Sequence, residues 1–217
     1  MPNWSNIDTV LLDMDGTLLD LHFDNHFWLE VIPHQLAKQQ QIPLQQAREQ
    51  MAARYEAVQG QIQWYCLDYW QQQLQLPIMT LKREIQHLIS IRDDAKVFLQ
   101  ALKNSGKELI LLTNAHRDSL SLKVERTELD RYLDKLVSTH DYGVSKEHQS
   151  LWQQVQSDLG FDKKRTLFVD DSAAVLDAAK RFGINHLLAV ANPDSKQPHK
   201  PLAGYENVTD YRDILPA

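Results

Sequence analysis

The stretch Val10-Leu11-Leu12-Asp13-Met14-Asp15-Gly16-Thr17-Leu18-Leu19 decides how this chain is organised. Three apolar residues lead directly into two carboxylates, and an apolar run that ends in turn residues is typical of a buried strand. Residues i and i+2 of a strand point to the same side, so Asp13 and Asp15 can share one small space at the strand end. Gly16 permits a sharp turn or the close approach of a ligand. Taken alone, the Asp-x-Asp-Gly pattern also fits an ordinary surface turn.

Two adjacent carboxylates repel each other unless a cation lies between them or one of them is protonated. A hard divalent cation such as Mg²⁺ prefers oxygen ligands, and it commonly joins one or two carboxylates to the phosphate oxygens of a substrate. An Asp can also act as a nucleophile that forms an aspartyl-phosphate. The pair Asp13 and Asp15 therefore indicates phosphate chemistry with Mg²⁺ as the cofactor.

Composition narrows the class of protein. The chain has 217 residues, of which 43% are hydrophobic and 24% charged, as in ordinary globular proteins. Its net charge of -6 argues against a nucleic-acid partner, and no run approaches the roughly 20 apolar residues of a membrane span. The single Cys66 rules out an internal disulfide, and its aromatic neighbours predict a buried structural thiol. The first residues lack the features of a signal peptide, so we expect a cytoplasmic protein.

Residues 20–91 predict a block of helices without a convincing strand. They are rich in residues that favour helices, their apolar positions recur at helical spacing, and Pro43 and Pro77 fall near expected helix boundaries. At this spacing the aromatic residues of the block more often form a core than bind a ligand. These residues are Phe23, Phe27, Trp28, Tyr55, Trp64, Tyr65, Tyr69 and Trp70. Such a block after the first strand indicates a lid inserted into an α/β region.

Strands alternate with helices from Asp93 onward. We predict strands at 108–114, 133–138, 165–169 and 186–190, helices at 95–103, 118–127, 146–159 and 173–182, and a last helical turn at 211–215. The predicted fold class is therefore α/β, with a parallel sheet that is covered by helices on both faces.

Polar residues follow three of the predicted strands. In parallel sheets, ligands bind at the carboxyl ends of the strands, so we expect these residues to meet at one edge of the sheet. They are Asp13 with Asp15, Thr113 with Asn114, and Asp170 with Asp171. A cation is still required at this edge, and Lys146, which follows a loop and is predicted to open a helix, fits best.

These residue types match the needs of phosphoryl transfer, which requires an in-line nucleophile and positive charge on the phosphate oxygens. Asp13 can attack phosphorus, while Asp15 can protonate the leaving alcohol and then deprotonate a water molecule. The hydroxyl of Thr113 and the main-chain N–H of Asn114 can donate to phosphate oxygens. The Asp170-Asp171 pair can complete a Mg²⁺ site.

Each of these features also has a simpler explanation when it is taken alone. Thr113 fits a strand-end cap, Lys146 fits a solvated helix start, and Asp170-Asp171-Ser172 fits a helix N-cap. The histidines show no close metal-ligand spacing, although His22, His26 and His116 can reach a substrate from loops beside the cleft.

The sequence of residues 13–18, Asp-Met-Asp-Gly-Thr-Leu, resembles the first motif of the haloacid dehalogenase (HAD) superfamily of phosphohydrolases. The resemblance implies a Rossmann-like parallel core made of residues 1–19 and 92–217, with an all-helical cap inserted at residues 20–91. It also implies Mg²⁺ as the cofactor and a small phosphomonoester as the substrate.

The resemblance assigns a role to each candidate. Asp13 matches the nucleophile of the family, and Asp15 matches its acid/base, whose main-chain carbonyl also binds the metal. Thr113 and Lys146 match the second and third motifs, which bind phosphate. The Asp170-Asp171 pair matches the fourth motif, in which Asp171 corresponds to the direct metal ligand.

Several further stretches are similar to the bacterial GMP/IMP 5′-nucleotidases of this superfamily, at residues 11–21, 64–70, 111–116 and 192–195. This similarity implies hydrolysis of a purine nucleoside monophosphate. The alternatives are a sugar-phosphate phosphatase or phosphomutase of the same fold, and a HAD-fold protein that works by binding. Haloacid dehalogenases generally lack the second motif-one Asp, so Asp15 argues against their chemistry. The chain also departs from the family at Glu147, where many relatives have Pro.

Overall fold

The computed structural model describes residues 2–216. Six parallel strands form one sheet in the order β3-β2-β1-β4-β5-β6. The strands are β1 (Thr9–Leu12), β2 (Glu108–Thr113), β3 (Lys135–Ser138), β4 (Thr166–Asp170), β5 (His186–Val190) and β6 (Glu206–Val208). Successive strands lie on opposite sides of β1, and this reversal of strand order opens a crevice at the carboxyl ends of β1, β2 and β4.

Ten α-helices surround or extend the sheet in the part of the chain that the structure describes. Four of them follow β1 and β2 or the later strands: α7 (Ala95–Asn104), α8 (Arg117–Thr127), α9 (Gln149–Leu159) and α10 (Ala173–Phe182). The other six lie between β1 and β2: α1 (His22–His26), α2 (Ile32–Gln40), α3 (Leu44–Val58), α4 (Ile62–Tyr65), α5 (Leu67–Leu74) and α6 (Ile78–Glu84). None of the helices formed by residues 2–216 combines the length and the hydropathy needed to cross a bilayer.

The sheet is buried on both faces, as predicted. Along β1 the side chains alternate: Val10 and Leu12 pack with α7 and α8 on one face, and Leu11 packs with α9 and α10 on the other. Full burial of such a side chain stabilises the fold by about 1.5–3 kcal/mol. This double coverage fixes β1 in the centre of the sheet, so that the loop after Leu12 emerges in the middle of the crevice.

Helices α1 to α6 have an apolar core of their own. Phe27, Met51, Trp70 and Leu74 are buried in it. Between α1 and α2 the chain passes through one π-helical turn at Phe27–Val31. Pro33 explains the wider turn, because it has no N–H to donate to the carbonyl four residues earlier.

The structure differs from the predicted elements in three places. The short strand β6 was not predicted, because Glu206-Asn207-Val208 has no apolar run and only Val208 is buried. Lys146 does not open a helix: α9 begins at Gln149, while Lys146 accepts a hydrogen bond from Trp152 Nε1 through its carbonyl (2.8 Å). Cys66 is only partly buried, because it stands at the N-cap of α5 rather than inside a helix.

The other predicted elements are confirmed to within one or two residues, and the helix 173–182 and the strand 186–190 match at both ends. The division into a core of 1–19 and 92–217 and a cap of 20–91 stays a prediction, and its first and last residues lie outside the described residues.

Candidate active site

All seven candidates from the sequence line one cavity of about 350 Å³, which lies between the carboxyl edge of the sheet and helices α1 to α6. Its volume is within the range of about 300–1,000 Å³ that is usual for small-molecule sites. The candidates are Asp13, Asp15, Thr113, Asn114, Lys146, Asp170 and Asp171. The fold therefore brings together residues that are separated by up to 158 positions in the chain.

Lys146 joins two of the carboxylates at the strand ends. Its Nζ donates to Asp13 Oδ1 (2.5 Å) and to Asp170 Oδ2 (2.7 Å), and all three side chains are buried. Burial alone would lower the pKa of Lys146, but the two carboxylates outweigh it and hold the pKa above its ordinary value. The ammonium group therefore stays charged beside Asp13.

Asp171 completes a cluster of three carboxylates. Oxygen atoms of Asp13, Asp170 and Asp171 lie within 4.8 Å of one another. Burial raises the pKa of Asp13 to about 6, with Lys146 opposing, and burial together with Asp170 and Asp13 raises the pKa of Asp171. Three carboxylates facing one ammonium group carry a surplus negative charge, so a divalent cation bound by oxygen atoms fits this donor set.

Gly16 makes room for this cluster. It has a φ of +82°, and a Cβ atom built there would lie 2.5 Å from Asp171 Oδ2 and 2.9 Å from Pro193 Cβ. A side chain at this position would push Asp171 away from Asp13. The glycine of the motif is thus required by both the backbone conformation and the close approach of the second carboxylate.

Asn114 holds the loop that carries Lys146. Its Oδ1 accepts from the main-chain N–H of Lys146 (2.9 Å) and from Thr139 Oγ1 (3.0 Å), and its Nδ2 donates to Glu147 Oε2 (3.2 Å). The neighbouring Thr113 accepts from the N–H of Ala115 through its hydroxyl (3.1 Å). The Asn114 side chain is therefore part of the scaffold, and a direct contact with a ligand falls to its main chain.

Asp15 belongs to a second charged group, which reasoning from the sequence missed. Lys123 Nζ lies 2.7 Å from Asp15 Oδ1, in an ion pair without hydrogen-bond orientation, and donates to Asp24 Oδ2 (2.6 Å). Asp24 Oδ1 accepts in turn from Lys82 Nζ (2.9 Å). Both lysines are fully buried, and all four residues line the cavity.

Electrostatics in this chain of four charges are uneven. Burial raises the pKa of Asp15 to about 6 against the opposing charge of Lys123. Burial alone would also raise the pKa of Asp24, but Lys123 and Lys82 outweigh it and lower the pKa to about 2. Lys82 Nζ further lies 4.6 Å from the centre of the Phe27 ring. A carboxyl group that retains its proton at neutral pH suits an acid, and Asp15 is the closer of the two to that state.

Glu147, where many relatives have Pro, contacts the helical block. Its Oε1 accepts from the hydroxyl of Tyr65 (2.6 Å), in helix α4. Two residues earlier, Ser145 Oγ donates to the carbonyl of Gly60 (2.8 Å). The segment that carries Lys146 is therefore tied on both sides to the helices that cover the cavity.

The aromatic residues of the block divide between core and cavity. Phe23, Phe27 and Trp70 are buried in cores. Four others line the cavity: Trp28, Tyr55, Trp64 and Tyr65. Among the predicted histidines, His116 lines the cavity, whereas His22 and His26 do not; they lie on α1, and His22 is near Asp194 (3.7 Å).

A family model described as haloacid dehalogenase-like hydrolase matches residues 7–183, which include every candidate site residue. The chain belongs to this family. It is 48% identical over 214 residues to the GMP/IMP nucleotidase YrfG of Escherichia coli strain K12, a similarity that covers 99% of this chain and 96% of that protein. An (S)-2-haloacid dehalogenase of Pseudomonas putida is 27% identical, with 82% of each chain covered.

The fold of this HAD-family chain is also that of solved structures. A HAD phosphatase from Thermococcus onnurineus superposes with a TM-score of 0.79 at 20% identity, and the similarity covers 96% of both chains. Hydrolases of this superfamily generally use Mg²⁺, and the carboxylate cluster at the end of β1 has the donor atoms for such an ion.

Three residues of the cavity were not predicted: Asp24, Lys82 and Lys123. Two lysines in helices otherwise read as solvated carried the only signal, since Lys123 follows Leu122 and Lys82 follows Leu81, both buried. Their partners lie 99 and 58 residues away from them in the chain. No local pattern could have joined them.

Proposed function

We propose that this protein is a Mg²⁺-dependent phosphomonoester hydrolase that acts through an aspartyl-phosphate on Asp13, and that its substrates are the purine nucleoside monophosphates GMP and IMP. The main support is the position of Asp13: it stands at the end of β1, is held by Lys146 (2.5 Å), and shares one cavity with Asp15. The substrate class rests on the 48% identity to a GMP/IMP nucleotidase over almost the whole chain.

Asp13, Asp171 and the main-chain carbonyl of Asp15 are the groups that would hold Mg²⁺. Asp170 is less available, because its two oxygens already accept from Lys146 Nζ and from the N–H of Ser172. When bound, the cation offsets the repulsion between Asp13 and the phosphate and polarises the phosphate oxygens.

The first step forms a bond between a carboxylate oxygen of Asp13 and phosphorus and breaks the bond to the ester oxygen. Asp15 gives its proton to the departing alcohol, and its raised pKa of about 6 suits this role. Lys146 and the hydroxyl of Thr113 stabilise the negative charge that spreads over the phosphate oxygens. The ammonium of Lys146 also keeps Asp13 in one orientation for the attack.

The second step returns the enzyme to its starting state. Asp15, now a carboxylate, takes a proton from water as that water attacks the phosphorus of the aspartyl-phosphate. The bond between Asp13 and phosphorus breaks, inorganic phosphate leaves, and Asp15 again carries its proton. Tyr55, Trp64 and Trp28 provide aromatic surface on the cavity wall on which a purine can stack.

We also propose that residues 20–91 act as a cap whose closure excludes water from this reaction, and that the enzyme works in the cytoplasm. The contacts of Glu147 and Ser145 with the helical block support a closed arrangement of this cap.

The test is phosphate release from GMP, IMP, AMP and a panel of sugar phosphates, with Mg²⁺ and with EDTA. The matched control is Asp13→Asn, which keeps the shape of the side chain and removes its nucleophilic carboxylate. We expect release from GMP and IMP that is lost with EDTA and falls by about 10⁴-fold or more in the variant. Release from sugar phosphates alone would overturn the substrate class, and full activity of Asp13→Asn would overturn the mechanism.

A further inference from the structure

Three side chains with metal-binding atoms meet at the edge of the cavity, outside the carboxylate cluster. Cys66 stands at the N-cap of α5, His116 stands at the N-cap of α8, and His140 lies in the short helical turn Thr139–Asp141. One donor atom of each lies within 4.8 Å of the other two. None of the three has a part in the proposed hydrolysis.

His140 offers a nitrogen that nothing else uses. Its Nε2 is buried and has no hydrogen-bond partner among the described residues. Since the ring is hydrogen-bonded to the main chain of Asn114, this bond must involve Nδ1. A histidine held through Nδ1 to a main-chain group presents the lone pair of Nε2, which is the usual arrangement of a metal-binding imidazole.

His116 has a carboxylate near each ring nitrogen. Asp68 Oδ2 lies 3.5 Å from Nε2, and Asp118 Oδ2 lies 3.9 Å from Nδ1. Nδ1 also accepts a long hydrogen bond from the N–H of Asp118 (3.3 Å). Whichever nitrogen binds a metal, the other has a carboxylate to accept its proton, and such outer partners orient metal-binding histidines.

Cys66 is a free thiol, and its Sγ accepts a hydrogen bond from the N–H of Tyr69 (3.5 Å). A thiol at the start of a helix ionises more readily than an ordinary cysteine, because main-chain N–H groups stabilise the thiolate. The sulfur is therefore available as the third ligand.

We propose that Cys66, His116 and His140 form a binding site for a transition-metal ion of the zinc class. One sulfur and two imidazole nitrogens are the ligands that Zn²⁺ prefers and Mg²⁺ avoids, so this site and the carboxylate cluster select different ions. With Zn–S near 2.3 Å and Zn–N near 2.0 Å, tetrahedral ligand atoms lie about 3.3–3.7 Å apart. The side chains thus need to close by about 1 Å.

Binding at this site would join the two parts of the molecule that form the cavity. Cys66 belongs to the helical block, whereas His116 and His140 follow β2 and β3. His116 is also only two residues from Asn114, at the cavity wall. A bound ion would therefore hold the helical block against the sheet and slow both the entry and the release of small molecules.

The direct test is a titration of the Mg²⁺-saturated protein with Co²⁺, followed by absorption spectroscopy. Mg²⁺ occupies the oxygen ligands, and a sulfur-to-cobalt charge-transfer band arises only if a thiolate binds the ion. We expect such a band with one Co²⁺ per chain, and we expect Zn²⁺ to remove it. No band at saturating Co²⁺, or the same band in Cys66→Ser, would overturn the proposal.

Two histidine variants provide a matched pair. His140→Asn removes the unpartnered nitrogen and should weaken Co²⁺ binding at least about 100-fold, while His87→Asn, at an exposed position, should leave it unchanged. Equal affinities of the two variants would contradict the assignment of His140. Asp68→Asn should weaken binding about tenfold through the orientation of His116.

Activity gives a second readout. Zn²⁺ should slow phosphate release from the Mg²⁺-loaded enzyme, and Cys66→Ser should keep its basal rate and resist this inhibition. Inhibition of equal strength in Cys66→Ser would show that Zn²⁺ acts at the carboxylates and would overturn the inference that an ion at Cys66 holds the helical block.

Discussion

Two groups of charges share the cavity, and they are balanced differently. The first group consists of Asp13, Asp170 and Asp171 with Lys146, and we call it the carboxylate cluster. The second consists of Asp15 and Asp24 with Lys123 and Lys82, and we call it the bridged chain. Three carboxylates face one ammonium group in the cluster, whereas the bridged chain has two of each.

This difference indicates what each group is for. The carboxylate cluster lies entirely on the sheet side and needs a further positive charge, so it suits the binding of a cation and a phosphate. The bridged chain is already neutral, and it runs from β1 through α8 to α1 and α6 in the helical block. It therefore needs no ligand, and it connects the acid/base candidate Asp15 to the part of the molecule that covers the cavity.

The largest effect that separates Asp15 from the cluster is its dependence on the leaving group. Asp15→Asn should lower hydrolysis of a nucleoside monophosphate by about 10²–10⁴-fold, because an alkoxide then departs without a proton. Hydrolysis of 4-nitrophenyl phosphate, whose leaving group needs no proton, should fall much less. Steady-state kinetics with both substrates measures the difference, and equal losses would show that Asp15 is not the acid.

The lysines at the centres of the two groups should fail in different ways. Lys146→Met removes the cation beside Asp13 and should lower kcat by about 10²–10³-fold at every pH. Lys123→Met removes the charge that opposes the raised pKa of Asp15, so that pKa should rise by about 1–3 units and the alkaline limb of the rate profile should move upward. pH profiles of the two variants, each made with the same replacement, test this contrast, and a shifted limb in Lys146→Met alone would reverse it.

The two groups also predict opposite effects of pH on stability. Without metal, the pKa of Asp13 rises from 3.8 to about 6 on folding, so the unfolded state loses its proton first as the pH rises. The free energy of unfolding should then fall between pH 4 and pH 6, by about 3 kcal/mol for this residue. The pKa of Asp24 is instead lowered to about 2, so its contribution is lost only as the pH falls from 4 to 2.

Urea unfolding in EDTA at pH 4 and pH 6 measures the effect of Asp13. The decrease should be smaller in Asp13→Asn by about 3 kcal/mol, and it should remain in Asp24→Asn. A decrease of the same size in the wild type and Asp13→Asn would mean that Asp13 does not carry the surplus charge.

The smallest effect concerns the contact between Glu147 and Tyr65, which ties the loop of the carboxylate cluster to the helical block. Glu147→Gln and Tyr65→Phe should each raise KM a few-fold, because a hydrogen bond to a charged group stabilises the closed arrangement by about 1.5–3 kcal/mol. The double variant should be no worse than the worse single variant if the two act through one bond. Additive losses in the double-mutant cycle would disprove the contact.

Local patterns predicted the carboxylate cluster but not the bridged chain. Asp13, Asp15, Asp170 and Asp171 follow apolar strands, and the rule that parallel strands end at one edge brings them together without any knowledge of packing. Lys82 and Lys123 stand in helices with no motif around them. Their burial depends on how the helical block packs against the sheet, and no single-sequence pattern reports that.

The same limit explains the smaller errors. Cys66 was predicted to be buried from its aromatic neighbours, but those neighbours pack away from it and leave it at a helix N-cap. The strand β6 pairs with β5 at the edge of the sheet and contributes one buried side chain, so its sequence carries almost no strand signal. Lys146 was placed at the cavity, but the turn between it and α9 follows from hydrogen bonds to Asn114 and Trp152 that are distant in sequence.

The most direct test of the difference between the two groups is a calorimetric titration of the metal-free protein with Mg²⁺, comparing the wild type, Asp171→Asn and Asp24→Asn. Both variants remove one carboxylate charge from the same cavity, one from the carboxylate cluster and one from the bridged chain. We predict one Mg²⁺ per chain, an affinity at least about tenfold weaker in Asp171→Asn, and an unchanged affinity in Asp24→Asn. Wild-type affinity in Asp171→Asn, or a weaker affinity in Asp24→Asn alone, would contradict the assignment of the cation to the carboxylate cluster.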